Sequence, residues 1–302
     1  MSADAAIATQ GLTKSYGHSR GIVDITMSVD AGEVFGFLGP NGAGKTTTIR
    51  TLLDFIRATA GHATVLGLDP QRDVVEIHRQ VGYLPGEFSL YGRMSGRDYL
   101  AFFADLRGGV DRKTVDTLAD RLQSDLDAKI SSLSHGNRQK IGLIQAFMHR
   151  PPLLILDEPT QGLDPIVQQT FHELVLEARE AGQTVFLSSH VLPEVERVCD
   201  RVGIIREGHL ITVEDVGALK THTVREIELH FASPVPSGAF TDLPGVHDLV
   251  VHGDVVRCTV SGSIDPLIKA AARYEVIDVE SHEPSLEDIF LTFYGRYGAE
   301  PA

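Results

Sequence analysis

The sequence predicts an α/β fold followed by a small α+β domain, and three observations lead to this assignment. Continuous apolar runs at Val34–Leu38, Leu153–Leu156 and Thr184–Leu187 indicate strands that are buried on both faces of a sheet. Segments with helical spacing alternate with such strands over residues 1–221. In residues 222–302, apolar and polar residues instead alternate along short segments, which is typical of half-buried strands.

The helix between the last two apolar runs has clear end signals. Asp164 can cap its first turn, Pro165 fits the first helical position, and Gly182 follows its end. The spacing of its apolar residues predicts an inward face formed by Ile166, Phe171, Leu174, Val175 and Ala178.

The C-terminal region has its own element order. Ile227, Leu229 and Phe231 predict a strand, and a hairpin is expected over Leu249–Val260 with its turn at His252-Gly253-Asp254. A helix over residues 264–273, a strand over Tyr274–Val279 and a helix that begins at Pro284-Ser285 complete the predicted domain.

Composition limits the classes of function that the chain can have. Its 302 residues suffice for one large and one small domain, each with a core of its own. The net charge of −14 disfavours extended contacts with nucleic acid or anionic lipid. There is no membrane-length apolar run or secretory signal, and the isolated Cys199 and Cys258 fit a reducing cytoplasm. Any membrane association is therefore expected to use a protein partner.

A glycine-rich segment follows the first apolar strand and precedes a predicted helix. Its glycines permit a tight loop with inward-pointing N–H groups, and the helix N-terminus favours an anion. The segment matches G-x-x-x-x-G-K-[ST] at every fixed position. It therefore predicts a phosphate cradle for a nucleoside triphosphate, formed by Gly39, Pro40, Asn41, Gly42, Ala43, Gly44, Lys45, Thr46 and Thr47.

Two acidic residues at the end of the second apolar strand complete the predicted chemistry. Lys45 would contact the β- and γ-phosphates, and the Thr46 hydroxyl would ligate Mg²⁺. Asp157 would hold the same ion directly or through water, and Glu158 would orient and deprotonate the attacking water. Paired acids at a strand end are also common on protein surfaces, so these roles depend on the neighbouring cradle.

The segment Leu133-Ser134-His135-Gly136-Asn137 resembles the LSGGQ signature loop of ATP-binding cassette (ABC) proteins and precedes a predicted helix. With the cradle and the acidic pair, it makes the chain similar to an ABC ATPase subunit over about 220 residues. The resemblance implies a P-loop NTPase core of the ABC type, with a helical subdomain inserted at about residues 86–150. It also implies ATP and Mg²⁺ as ligands.

The resemblance assigns roles to five further residues. Tyr16 would stack on adenine, and His190 would contact the γ-phosphate. Ser134 and Gly136 would contact nucleotide through a hydroxyl and the backbone, and Asp164 would lie in a loop that crosses a dimer interface. Taken alone, Tyr16 is more typical of a partly buried core residue and His190 of a satisfied strand-end histidine, while Asp164 is a good helix cap in any case.

The sequence departs from the family pattern in two places. His135 and Asn137 replace the usual Gly and Gln of the signature loop, so we expect a working loop with altered surroundings. Gly86 occupies the position of a glutamine that normally reaches the metal and reports nucleotide state to the membrane partner. Glu87 either substitutes for that glutamine or is a solvated loop acid.

The resemblance also implies partners. Two copies would meet head to tail, each signature loop completing the other copy's cradle, on the cytoplasmic face of a membrane beside a separate permease. No nucleic-acid partner is expected. The predicted groove for a short permease helix contains Leu90, Tyr91 and Met94, whereas the core of the helical subdomain explains Tyr99, Phe102 and Phe103.

The predicted function is the ATP-hydrolysing subunit of a bacterial exporter for drugs, antibiotics or other small amphipathic molecules. The segment Tyr83–Gly86 and the C-terminal domain resemble the subgroup that pairs with ABC-2-type permeases. One alternative is a soluble ABC protein that acts on ribosomes or DNA, which the single cassette and the acidic charge disfavour. A regulatory module without turnover is the other, and the presence of Glu158 and His190 weighs against it.

Overall fold

The computed structural model describes residues 5–17, 19–86, 90–217, 225–261 and 263–282. The chain divides into two compact units, Met1–Glu214 and Asp215–Ala302. The sequence-based boundary at residue 221 stays a prediction, because residues 218–224 lie outside the described ranges.

A six-stranded sheet forms the centre of the first unit, in the order β5-β6-β7-β3-β8-β9. Its first five strands in this order run parallel to one another. All residues of β3, β6 and β7 are buried, which confirms the predicted two-sided burial. The strands are β3 (Val34–Leu38), β5 (Val81–Leu84), β6 (Leu153–Asp157), β7 (Thr184–Ser189), β8 (Arg201–Arg206) and β9 (His209–Asp215).

The first unit also contains an antiparallel sheet of order β2-β1-β4, formed by Ala5–Tyr16 (β1), Ser19–Asp30 (β2) and Ala60–Val65 (β4). The predicted alternation of strands and helices was wrong here, because β1, β2 and β3 follow one another without an intervening helix. Ile7 and Ile22 from this sheet belong to the same buried cluster as Phe35 and Phe186 of the central sheet.

Helices cover the central sheet and separate most of its strands. Three of them, α3 to α5, lie between β5 and β6, where the sequence predicts a helical insertion. Among the described residues, no helix is both long and apolar enough to span a bilayer. The helices are α1 (Lys45–Leu52), α2 (Val74–Gln80), α3 (Gly96–Leu106), α4 (Arg112–Arg121), α5 (His135–Phe147), α6 (Pro165–Glu180) and α7 (Leu192–Val198).

Helix α6 has the predicted ends but a slightly different buried face. The Asp164 carboxylate accepts from the N–H groups of Ile166 and Val167, and Gly182 beyond the helix has φ 82°. Phe171 and its predicted companions are buried, but Ile166 is 68% exposed, so its placement on the inward face was wrong. Val167 is buried instead because it lies four residues before Phe171, on the same side of the helix.

The second unit is a four-stranded antiparallel sheet of order β11-β12-β10-β13 with a helix, α8 (Asp265–Ala271). The predicted inward residues Ile227, Leu229 and Phe231 are buried. The last strand begins two residues later than predicted, and the helix expected from Pro284 lies outside the described residues. The strands are β10 (Arg225–Phe231), β11 (Val246–His252), β12 (Val255–Val260) and β13 (Val276–His282).

Arg107, just after α3, connects the helical insertion to the central sheet. Its guanidinium donates to the carbonyl oxygens of His78, Arg79 and Val81 and to Nε2 of His149 at 2.7 Å. The His149 ring must be neutral to accept this bond. Burial, together with repulsion by Arg107, lowers the pKa of His149 to about 4.

We expect this pair to make the protein less stable in mild acid. The unfolded chain protonates a histidine below about pH 6.5, whereas folded His149 resists protonation until about pH 4. The free energy of unfolding should therefore decrease as the pH falls through this window, by roughly 1 kcal/mol at pH 5 for this partly exposed group. Urea unfolding of the parent and of His149→Gln at pH 7 and pH 5 measures this contribution.

The variant keeps an acceptor for Arg107 but has no titrating ring. Its unfolding free energy should consequently fall less between the two pH values than that of the parent. An identical pH dependence of the two proteins would contradict the assignment.

Candidate nucleotide site

The predicted cradle is a tight loop between β3 and α1. Gly42 and Gly44 have φ of 81° and 113°, in the left-handed region that favours glycine. At Gly39 a Cβ would collide with the carbonyl oxygen of Ile205 in β8, so the loop needs glycine there to pack against the sheet. Gly44 is the N-cap of α1, whose first turn has backbone N–H groups without intrahelical partners.

This loop forms one wall of a cavity of about 600 Å³. Most of the lining is polar or glycine, as a highly charged ligand requires. The lining residues are Gly21, Pro40, Asn41, Gly42, Gly44, Lys45, Thr46, Thr47, Arg50, Gly86, Glu158 and Gln161, while Ala43 is buried within the loop.

Lys45 is held inside the cradle. Its side chain is only 5% exposed, and Nζ donates to the carbonyl oxygens of Gly39 at 2.5 Å and Pro40 at 3.2 Å. The same Nζ lies 3.0 Å from Oε1 of Glu158. The ammonium group is therefore a preplaced positive charge in the cavity wall, within reach of the acid that the sequence assigns to catalysis.

Asp157, at the end of β6, is fully buried and hydrogen-bonded to two hydroxyl groups. The Thr46 Oγ1 donates to its Oδ2 at 2.8 Å, and the Ser188 Oγ donates to its Oδ1 at 2.5 Å. Hydroxyl and carboxylate oxygens suit Mg²⁺, which takes one or two protein ligands and completes its shell with phosphate and water. Among the described residues there is no cluster of three or more His, Cys, Asp or Glu that could hold a metal ion.

Glu158 has a strained backbone that is fixed by its neighbours. Its φ of 48° lies in the left-handed region, and its N–H donates to the carbonyl oxygen and Oγ of Ser188 at 3.2 and 3.1 Å. Oε2 of Glu158 lies 2.7 Å from Nδ1 of His190. The structure thus brings both predicted catalytic residues together, with the Glu158 carboxylate between His190 and Lys45.

Gly86, which stands where the family usually has a glutamine, lies at the nucleotide site. Gly86 lines the cavity, and a Cβ built on it would be 3.2 Å from Oδ2 of Asp157. A glutamine at this position would therefore begin next to the predicted metal ligand. Glu87, the candidate replacement, lies outside the described residues.

The signature residues lie elsewhere in the chain. Ser134 caps α5, its Oγ accepting from the N–H of Asn137 at 3.3 Å, and Gly136 packs so closely on the carbonyl of Gly162 that a Cβ would not fit. Asp164 caps α6, with its carboxylate 3.8 Å from Lys140. None of the described residues that line the cavity comes from the signature loop, and Asp164 is not among them either.

Tyr16 lies at the end of β1, beside the turn into β2. Its ring is 45% exposed, and Nζ of Lys14 lies 5.2 Å from the ring centroid. With this exposure Tyr16 is not the partly buried core residue of the alternative interpretation, and it does not line the cavity either. Its contact with adenine stays a prediction.

Several residues of the site were not predicted. Ser188 holds both Asp157 and Glu158, but its role depends on β6 and β7 being neighbours, which no local motif reveals. Glu194 of α7 accepts from Ser189 Oγ at 3.1 Å and also bonds Thr160, and burial raises the pKa of its carboxyl. Gln139 of α5 donates from its Nε2 to the carbonyl oxygen of Glu158 at 3.3 Å.

The fold and this cavity define a P-loop nucleotide-binding protein. A sequence profile of the ABC transporter family matches residues 22–161. The bacitracin transport ATP-binding protein BcrA of Bacillus licheniformis is 33% identical, over 96% of this chain and 97% of its own length. The Nod factor export ATP-binding protein I of Rhizobium meliloti is 32% identical, over 96% of this chain and 88% of its own length.

A solved ATP-binding subunit of an ABC transporter has the same fold. It is 28% identical, with a TM-score of 0.65, and the match covers 71% of this chain and 92% of that structure. The chain belongs to the ATP-binding proteins of the ABC transporter family. It is accordingly an ABC-type ATPase, as the sequence motifs predict.

The close packing of Gly39 generates a direct test. Gly39→Ala should displace the cradle from β8 and weaken ATP binding at least about tenfold, since an added methyl in a packed site costs about 1–3 kcal/mol. Titration with a fluorescent ATP analogue measures the loss. Gly238→Ala, in the second unit, is the matched control, because an added Cβ there would meet no atom within 4 Å, and it should bind within about twofold of the parent. Equal affinities of the two variants would contradict the packing argument.

Proposed function

We propose that this chain is the ATP-hydrolysing subunit of a bacterial exporter that moves drugs, antibiotics or other small amphipathic molecules through a separate membrane permease. One observation carries the proposal. Relatives named for bacitracin transport and Nod factor export match almost the whole chain, including the second unit that follows the ABC cassette. A similarity limited to the cassette would support ATP binding without indicating a transport class.

The described contacts support the following catalytic roles. Lys45 would bind the β- and γ-phosphates, and Glu158 would take a proton from the attacking water. His190, hydrogen-bonded to Glu158 at 2.7 Å, would orient that carboxylate and contact the γ-phosphate. Thr46 and Asp157 would hold Mg²⁺, which offsets the charge of the phosphates when it is bound.

A second copy of the chain would complete the site. In the head-to-tail dimer implied by the family resemblance, Ser134 and Gly136 of one copy face the nucleotide bound by the other. This agrees with their position outside the cavity of their own chain. The N-terminus of α5 behind Ser134 would add favourable positive potential for the γ-phosphate. ATP binding would close the dimer, and hydrolysis would open it.

Glu158→Gln tests the catalytic assignment and the dimer together. The amide cannot accept the proton, so turnover should fall at least about a hundredfold while ATP still binds. ATP should then accumulate in a stable dimer, which sedimentation velocity with Mg²⁺ and ATP detects. Glu180→Gln, an exposed acid at the end of α6, is the control and should keep the parent rate. Hydrolysis by Glu158→Gln at the parent rate would refute the role of Glu158.

The helical insertion carries the surface proposed for the permease. Tyr91 is 59% exposed, and its ring packs against those of Tyr99 and Phe102. Tyr99 is buried and its hydroxyl donates to Gln145, so it belongs to the core, whereas Phe102 is 44% exposed. Leu90 and Met94 are half-buried beside Tyr91 along the chain. We propose that a short cytoplasmic helix of the permease packs on the exposed ring of Tyr91.

Tyr91→Ala should uncouple the two halves of the transporter. It removes an exposed ring, so folding and ATP binding should change little, while export by the assembled complex should fall at least about tenfold. Transport into inverted vesicles and ATP hydrolysis are measured on the same preparation. Val75→Ala, at an equally exposed apolar position on α2, controls for loss of surface area. Unchanged export by Tyr91→Ala would exclude this surface.

Fractionation of cells distinguishes an exporter from the alternatives. The proposed subunit should be peripheral at the cytoplasmic face of the membrane and co-purify with a polytopic permease. Sedimentation with ribosomes would contradict the proposal and favour a soluble ABC protein. Similarity to transporter subunits over nearly the full chain supports the first outcome.

A further inference from the structure

The first two turns of α5 contact the segment that follows Glu158, here called the 158–164 loop. Gly136 lies against the carbonyl of Gly162, and Lys140 lies 3.8 Å from Asp164. Gln139, between these two residues on the helix, contacts the backbone of Glu158 itself. The signature helix and the loop that begins with the proposed base are thus packed together within a single chain.

Gln139 is almost completely buried, with 1% of its surface exposed. Its Nε2 donates to the carbonyl oxygens of Glu158 at 3.3 Å and Pro159 at 3.2 Å. Both partners are acceptors only, so the amide must present its nitrogen to them. A buried residue that bonds two consecutive carbonyl groups restrains the orientation of the peptide units between them.

The first of these carbonyl groups belongs to a residue with a left-handed backbone. Glu158 has φ 48°, and its N–H is fixed by Ser188. The carbonyl group of Glu158, which precedes Pro159, is fixed by the hydrogen bond from Gln139. The Glu158 carboxylate therefore points into the cavity only while β7 and α5 both hold its backbone. A small shift of α5 would change the direction of the carboxylate, because the left-handed conformation is not the one it would adopt unaided.

We propose that Gln139 is a positioning residue that couples the two nucleotide sites of the dimer. The inference rests on the proposed head-to-tail assembly. There, the α5 turn at Ser134 contacts the nucleotide of the partner, while Gln139 on the same helix holds Glu158 at the chain's own nucleotide. Occupation of one site then sets the geometry of the base in the other. Binding at either site must favour the same position of α5, and the coupling is reciprocal.

The test compares the ATP dependence of hydrolysis by the full-length parent and by Gln139→Met. Methionine fills the same space but cannot donate to the two carbonyl groups. The parent should show a Hill coefficient of about 1.5 to 2, and Gln139→Met a value near 1 together with a maximal rate lowered by about tenfold. Gln139→Leu, which also has no donor and introduces no charge, should behave in the same way and serves if the first variant unfolds.

Thr160→Val is the matched control. Thr160 is buried in the 158–164 loop and is held through Glu194 of α7, so its loss loosens the same loop without touching α5. Its rate should fall while its Hill coefficient stays that of the parent. Equal loss of cooperativity in Thr160→Val and Gln139→Met would overturn the proposal, because any loosening of the loop would then suffice.

Assembly is measured separately with Glu158→Gln. ATP should drive both Glu158→Gln and the double variant Glu158→Gln/Gln139→Met into dimers. If Glu158→Gln itself stays monomeric, the proposed dimer fails before the coupling is reached. If only the double variant stays monomeric, Gln139 acts in assembly and not in coupling. A parent Hill coefficient of 1, or an unchanged coefficient in Gln139→Met, would refute the coupling directly.

Discussion

The site depends on the close approach of the cradle to the central sheet. Gly39 lies against the carbonyl of Ile205, where no side chain would fit, so the loop turns tightly out of β3 and directs Lys45 into the cavity. In a parallel sheet the carboxyl ends of neighbouring strands share one edge. Asp157 at the end of β6 and Ser188 in β7 therefore lie beside the cradle. The site is thus formed where the neighbouring strands β3, β7 and β6 end.

Most of this arrangement follows from local sequence. The cradle, the acidic pair and the buried strands are continuous motifs whose spacing is fixed by short-range geometry. The structure brings the cradle and the acidic pair together, with Nζ of Lys45 3.0 Å from Oε1 of Glu158. Ser188 could not be predicted because its contacts depend on strand order. The antiparallel sheet escaped prediction because β1 pairs directly with β2, the next element along the chain, where alternation requires a helix. Ile166 was misplaced by a single position, which on a helix is a rotation of about 100°.

The signature residues show a different limit of sequence reasoning. The motif indicates what Ser134 and Gly136 contact, but that contact is proposed to involve another copy of the chain. Within one chain, the same helix has a second set of contacts that no motif indicates, through Gln139 and the 158–164 loop. A residue that bonds only backbone carbonyl groups leaves no pattern in its partners, because any amino acid can supply a carbonyl.

At position 158, folding and catalysis favour different residues. The left-handed backbone favours glycine, whereas the proposed chemistry requires a carboxylate. A non-glycine residue in this conformation costs on the order of 1 kcal/mol or more, which glycine would avoid. Replacement by glycine should therefore make the fold more robust while removing the proton acceptor. In a homologue that is not selected for ATP hydrolysis, this replacement would be tolerated, because the protein would still fold and bind nucleotide. High thermal stability of a homologue with another residue at this position is consequently no evidence that the homologue hydrolyses ATP.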